Sequence, residues 1–313
     1  MSDSNPGLGV KILVNLSEAT RLRRFCSNPA ISGRSDFGSQ RHGSLVLYVS
    51  RRTAPGSCFL AGPHGTWTRN RQSITPAGIA IGEDCLLFSF TKSYQVFSHS
   101  DLHGHRLLDV GSGPSIYQIL SASEAFDDIY LSDFTEVNRN ELHLWLADSP
   151  EAFNWSPIIQ YVCDLEGNGD TCESKSERLR RKVKSVLSCD VNQDPPVCGI
   201  DPPFDCILTT FCLEAACLDI EMYHQAVGRL AGLLKAGGHL VMLDTLEETF
   251  YHVGNKRFCS LPLSEATVQE ALIKAGLSIT VYEKCCRSEF GDAHSNFTSI
   301  LLIVAQKNPL KQQ

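Results

Sequence analysis

Asp109, Asp133, Asp190 and Asp244 each stand at or near the end of a short apolar run, as does Thr210. An ionised carboxylate offers only acceptors, so it suits a ligand that presents hydroxyl or ammonium donors. Asp109 leads into Gly111-Ser112-Gly113, where the two missing side chains let a ligand approach the backbone closely. A strand, a glycine turn and a helix in that order would also aim backbone N–H groups at the ligand. Asp133 follows Asp109 by 24 positions, close to the spacing at which a carboxylate meets ribose hydroxyls in a strand–helix–strand nucleotide site. The competing reading of Asp133 is a helix cap ahead of Asn138 to Leu146, and both roles are compatible.

The elements that position these residues follow from hydrophobic patterning. Arg106 to Val110, Phe126 to Asp133, Val183 to Val191, Phe204 to Thr210, His239 to Thr245, Ser278 to Tyr282 and Ile300 to Ala305 are apolar-rich runs of strand length. Between them, Ile116 to Glu124, Asn138 to Leu146, Ile220 to Leu234 and Ser264 to Ala275 carry helical spacing, and Leu86 to Phe97 supplies a helix before the first strand. Lys235-Ala-Gly-Gly238 is expected to cap a helix, and Glu173 to Lys184 to present a solvated, charge-alternating face. Alternating strands and helices predict an α/β fold, a doubly wound, seven-stranded, mostly parallel sheet. In such sheets ligands bind outside the carboxyl ends of the strands, where Asp109, Gly111, Asp133, Asp190, Thr210 and Asp244 fall.

Composition bounds the rest. Residues 1–90 contain ten Lys/Arg against five Asp/Glu, so the net charge of −7 leaves the main body at −12, which argues against a nucleic-acid partner. Thirteen cysteines without a Cys-x-x-Cys pair read as reduced thiols, and a cytoplasmic protein is expected. No apolar run is long enough to span a membrane. Residues 1–91 are dominated by Gly, Pro, Ser, Arg and Asn, with Val10–Leu16 and Ser44–Val49 as their compact apolar stretches, and are expected to be disordered. Residues 92–308 form the expected domain and 309–313 a tail.

The dinucleotide version of the glycine turn wants a third glycine where Ile116 stands, which disfavours a nicotinamide-dinucleotide oxidoreductase. Asp109-Val-Gly-Ser-Gly-Pro-Ser-Ile-Tyr-Gln, Leu131-Ser-Asp-Phe-Thr, Pro150-Glu-Ala-Phe-Asn-Trp-Ser-Pro and Tyr161-Val-Cys-Asp-Leu-Glu-Gly resemble one family. Ser188-Cys-Asp-Val, Leu234-Lys-Ala-Gly-Gly-His-Leu-Val and Phe258-Cys-Ser-Leu-Pro-Leu belong to the same resemblance, which runs from about residue 92 to 308. It is the family of small-molecule N-methyltransferases acting on nicotinamide, indolethylamine and phenylethanolamine. The resemblance implies a Rossmann-like class I methyltransferase fold with S-adenosyl-L-methionine as cofactor. It implies that Gly111, Ser112, Tyr117 and Thr210 meet the methionine end, Asp133 and Asn138 the ribose, and Asp190 and Val191 the adenine. Asp244 and Ser260 match positions that face the acceptor, and Phe250 and Tyr251 are candidate pocket walls.

Asp244 points towards a nicotinamide-type acceptor, whereas Leu131-Ser-Asp-Phe-Thr with Asn138-Arg139 looks closer to the indolethylamine branch. The acceptor is thus expected to be nicotinamide or a related small pyridine or amine, with an indolethylamine-type amine as the alternative; the protein is expected to be a monomer, and no metal is expected. The family's N-terminal lid, with its aspartate–tyrosine pair, has no counterpart in residues 1–91, where Tyr48 is the sole tyrosine. A cofactor-binding protein with impaired catalysis is therefore the alternative from another class.

Overall fold

The computed structural model describes residues 10–15, 44–49, 83–99, 102–253, 256–287 and 295–309. Strands β1 (Val10–Asn15) and β2 (Ser44–Val49) pair antiparallel, so the two apolar stretches of the N-terminal region find each other. Most of the segment expected to be disordered lies outside the described residues. Helix α1 (Glu83–His99) precedes the sheet, as the run Leu86 to Phe97 implies.

The seven-stranded sheet comprises β3 (Gly104–Val110), β4 (Phe126–Asp133), β5 (Val183–Ser188), β6 (Phe204–Thr210), β7 (Leu234–Leu246), β10 (Leu277–Cys286) and β11 (Ser299–Lys307). Its order is β10-β11-β7-β6-β3-β4-β5, with β11 antiparallel to both of its neighbours and the other pairings parallel. Side chains alternate faces along each strand. Leu107, Leu208, Val241 and Leu243 therefore enter one core with Phe126, Trp145 and Trp155. Leu108, Ile207, Leu240 and Met242 enter the other with Phe204, Tyr223 and Leu230. Burial on both faces explains why these strands read as unbroken apolar runs.

Helices α3 (Glu136–Leu146), α4 (Ser156–Glu166), α5 (Cys172–Lys182), α7 (Ile220–Leu233) and α8 (Glu265–Lys274) cover the sheet. Four begin on a side chain that accepts from the first turn: Thr135 for α3, Thr171 for α5, Asp219 for α7 and Ser264 for α8.

Several expectations need correction. Ile116 to Glu124 is not one helix but a 3-10 turn (Tyr117–Ile119) followed by the single turn α2 (Ala122–Ala125). The Ser123 hydroxyl donates to Leu120 O at 2.7 Å, and Gln118 is tied back to the glycine turn, so local polar bonds replace a continuous helix. The third strand stops at Ser188, because Asp190 enters a turn in which its Oδ1 accepts from Asn192 N at 2.9 Å. Lys235 to Gly238 belongs to β7 rather than to a helix cap. A Cβ on Gly238 would lie 3.0 Å from Asp205 O and 3.1 Å from Phe204 O, so this glycine serves the close approach of β7 to β6. Among the described residues nine cysteines are not disulfide-bonded, but Cys259, in β9 (Lys256–Cys259), is. Strand β9 pairs antiparallel with β8 (Phe250–Val253).

The charged helix α5 is not simply solvated. Lys175 is fully buried, and its Nζ meets Glu124 Oε1 at 2.9 Å and Glu166 Oε2 at 2.7 Å, joining α2, α4 and α5. Arg178 adds Glu124 and Asp170 to the network. Removing one partner of a buried pair strands the other charge. Lys175→Ala is expected to cost about 3–5 kcal/mol in urea unfolding, and Lys175→Met together with Glu166→Gln substantially less. Equal losses for the single and double variants would show that packing, not charge pairing, holds this joint.

Candidate active site

Asp109 lies one residue before the end of β3, and its carboxylate is buried. Its Oδ2 accepts from Gln118 Nε2 at 2.8 Å, while the buried Oδ1 meets no partner. Burial, aided by the charge of Asp133, pushes its carboxyl up to about 7 against the hydrogen bond from Gln118.

The glycine turn differs from its expected form. Gly111 and Gly113 adopt left-handed backbone, with φ of 75° and 62°. The N–H groups of Gly111 and Ser112 both donate to Ser132 O at 2.9 Å, and that of Gly113 donates to Asp133 Oδ2 at 2.8 Å. All three donors are therefore spent inside the fold, and the turn offers shape rather than N–H groups. A Cβ at Gly111 would sit 2.2 Å from Cys212 Sγ, so the loop after β6 packs directly against the turn. Ser112 is a staple: its hydroxyl donates to Asp109 O and accepts from Ser132 N.

Asp133 braces the start of α3, where Thr135 rather than Asp133 itself is the N-cap residue. Its Oδ1 accepts from Thr135 N (2.8 Å), Thr135 Oγ1 (3.0 Å) and Asn138 Nδ2 (3.0 Å), organising the start of α3. Its Oδ2 accepts from Gly113 N–H, which leaves acceptor capacity facing the turn. Phe134, which the sequence reading passed over, follows it with 45% of its surface exposed. Asp190 and the buried Val191 form the turn beyond β5, beside the same strand end.

Across β6 and β7 the edge becomes strongly acidic. Thr210 Oγ1 is buried without a partner. Asp244 is 1% exposed, its Oδ2 accepts from Tyr223 at 2.7 Å, and its Oδ1 is buried and unmet. Burial pushes Asp244 up to about 6. Two further buried acids, Glu214 in α6 (Leu213–Ala216) and Glu248 after β7, complete the group. Burial and the charges of Asp244 and Glu248 push Glu214 far up. Ser260 is 3% exposed and its Oγ has no partner. Tyr117, buried and edge-on to Phe90 at 5.5 Å, joins the two halves: burial raises its phenol, with the charges of Asp109 and Glu214 adding to the effect. Phe211 and Glu247, at φ of 52° and 56°, hold left-handed backbone at the exits of β6 and β7.

A profile of the family described as NNMT/PNMT/TEMT matches residues 75–308. The chain belongs to the NNMT/PNMT/TEMT family. Human nicotinamide N-methyltransferase is 43% identical over 215 residues, covering 68% of this chain and 81% of the relative. Mouse indolethylamine N-methyltransferase is 41% identical over 234 residues, covering 74% and 88%. Human phenylethanolamine N-methyltransferase is 42% identical over 188 residues, covering 59% and 67%. The NNMT/PNMT/TEMT match begins ahead of α1, earlier than residue 92, and contains every site residue named above. The fold is the expected Rossmann-like class I methyltransferase architecture.

Glu214, Glu248 and Gln118 escaped the sequence reading. Glu214 sits inside the apolar run Leu213-Glu-Ala-Ala-Cys217, a signal that an acid is buried, but nothing local points it at Asp244. No helix among the described residues is long and apolar enough to cross a membrane.

The raised carboxyl of Asp109 has a calculable sign. Between the unfolded value of 3.8 and about 7 the folded chain keeps a proton that the unfolded chain has released. The stability this confers is present below 3.8 and lost as pH rises through about 7. Asp109→Asn should therefore match the parent near pH 4 and exceed it by roughly 2–4 kcal/mol above pH 7 in urea titrations. A gap that does not grow with pH would remove Asp109 from this role.

Proposed function

We propose that this chain moves a methyl group from S-adenosyl-L-methionine to the nitrogen of a small amine or pyridine. The observation that carries the reading is a pair of buried polar groups, Asp244 Oδ1 and Ser260 Oγ, which adjoin Glu214 and Glu248 but meet no partner at full hydrogen-bond geometry, beyond the glycine turn of a family methyltransferase fold. The cradle suits the cofactor: Asp109 Oδ1 and Thr210 Oγ1 are buried acceptors without partners, and the turn is open at Gly113, where a Cβ would meet nothing nearer than Ser115 Oγ at 3.8 Å. Gly111, Ser112, Tyr117 and Thr210 would hold the methionine end. Asp133, through Oδ2, and Asn138 would hold the ribose, and Asp190 and Val191 the adenine rim. When bound, the cofactor supplies an electrophilic methyl carbon on a sulfonium.

The chain's own residues then position the acceptor and exclude water. Asp244 and Ser260 orient it, and the negative edge favours the positive charge that the acceptor nitrogen gains. A pyridine nitrogen has no proton to lose and needs no base. A protonated amine must lose one, to a carboxylate or to water. The acidic cluster of Asp244, Glu214 and Glu248 favours the amine, because a cation relieves the negative charge its ionised members bury on entry, whereas a neutral ring does so only after methylation. Nicotinamide is the second reading, carried by Asp244 and Ser260. A small-molecule partner, no nucleic acid, no membrane, a monomer and a cytoplasmic location belong to the same reading.

A radiolabelled methyl-transfer screen with nicotinamide, tryptamine and phenylethanolamine tests it, alongside calorimetry with S-adenosylhomocysteine. Asp244→Ala is expected to lose roughly 2–4 kcal/mol of transition-state stabilisation with cofactor affinity unchanged. Asp133→Ala should reverse that pattern, weakening the cofactor first. Heat without turnover would favour the cofactor-binding alternative, and no heat would sink the methyl-donor reading.

A further inference from the structure

Thr245 follows Asp244 on β7, is 6% exposed, and stands between two buried carboxylates. Its hydroxyl lies 3.3 Å from Glu214 Oε1 and 3.1 Å from Glu248 Oε2, and its backbone N–H donates to Glu214 Oε1 at 3.2 Å. A hydroxyl carries one proton. It can donate to one of these carboxylates, and it must accept from the other or leave that contact repulsive. Both contacts are satisfied only if one of the two acids is protonated.

Glu214 is the proton holder. Its burial and its acidic neighbours Asp244 and Glu248 all favour the neutral form. The other titratable groups that feel its charge, Tyr223, Tyr117, Tyr251 and Cys217, are neutral themselves and supply no cation. Glu248 is also pushed up by burial, but less far than Glu214: Ser295 Oγ donates to its Oε1, and Ser260 and the charge of Arg287 add to the support of its ionised form. The hydrogen-bonded order is then Glu214 O–H to Thr245 Oγ1, and Thr245 O–H to Glu248 Oε2. Glu214 Oε2, buried and meeting no partner at full hydrogen-bond geometry, is the other end of this chain, and the Glu214 side chain also supports the ionised form of Asp244 beside it.

We propose that Thr245 is a proton-relay residue, which shares one proton between Glu214 and Glu248 and passes on the proton that an amine acceptor releases. The proposal rests on the methyl-transfer reading above. In the step, an N–H bond of the ammonium breaks and its electron pair stays on nitrogen. A new O–H bond forms at Glu214 Oε2 while the proton on Oε1 moves to Thr245 Oγ1. The proton formerly on Thr245 goes to Glu248 Oε2. One proton has then moved from the acceptor to Glu248, and Glu214 is again a neutral acid.

The test uses the full chain with Thr245→Val and Thr245→Ser. In the ligand-free parent and Thr245→Ser, isotope-edited infrared titration of the glutamate carboxyls should show Glu214 protonated and Glu248 ionised at pH 7, assigned with Glu214→Gln and Glu248→Gln. In Thr245→Val the titration of the pair should move. With tryptamine, Thr245→Val should lower kcat about 10- to 100-fold, shift the pH profile and leave KM within about threefold, whereas Thr245→Ser restores the rate. The loss with nicotinamide, which has no proton to release, should be several-fold smaller. Both glutamates ionised together in the parent, or equal losses with the two acceptors, would overturn the relay. If neither acceptor is methylated, the methyl-transfer reading fails while the infrared titration still decides the shared proton.

Discussion

Negative charge held away from water at one edge of the sheet is the constraint around which this molecule is built. Asp109, Asp133, Glu214, Asp244 and Glu248 are all nearly inaccessible. The close ion pairs of Lys175, Arg178 and Lys235 lie elsewhere, although Glu248 feels the charge of Arg287. A buried carboxylate must therefore be met by neutral donors or keep its proton. Asp133 has four hydrogen bonds, which oppose but do not cancel the rise that burial imposes on it. Asp109 and Asp244 have one side-chain donor each and are pushed upward. The edge is thus arranged for a visitor that brings positive charge, and a sulfonium or an ammonium brings it.

Much of the architecture was legible before the structure. Buried parallel strands write themselves as continuous apolar runs, and the seven runs became the seven strands. Helix starts were legible where a hydroxyl or carboxylate precedes a periodic segment, as at Ser264. What failed depended on partners distant in the chain. The alternating charges of α5 look the same whether solvated or paired, and only Glu124 and Glu166 decide that Lys175 is internal. Ile116 to Glu124 has helical spacing, but the bonds that Gln118 makes to Asp109 and Ser112 override it.

The site was legible on its nucleotide side and only half so on its acceptor side. Asp109, Asp133, Thr210 and Asp244 share an edge because parallel strands end together, which patterning reveals. Glu214 and Glu248 join them through the adjacency of β6 and β7 and through Thr245, and no local spacing encodes either. The glycine turn is a different lesson: its glycines were found, but their N–H groups are consumed by Ser132 and Asp133, so the turn acts through vacated volume.

That last bond has a consequence for ligand entry. Because three donors already clamp Asp133 Oδ1, the carboxylate cannot swivel to suit whatever arrives. A hydroxyl that reaches this carboxylate meets an oxygen already aimed, so little torsional freedom is lost at docking.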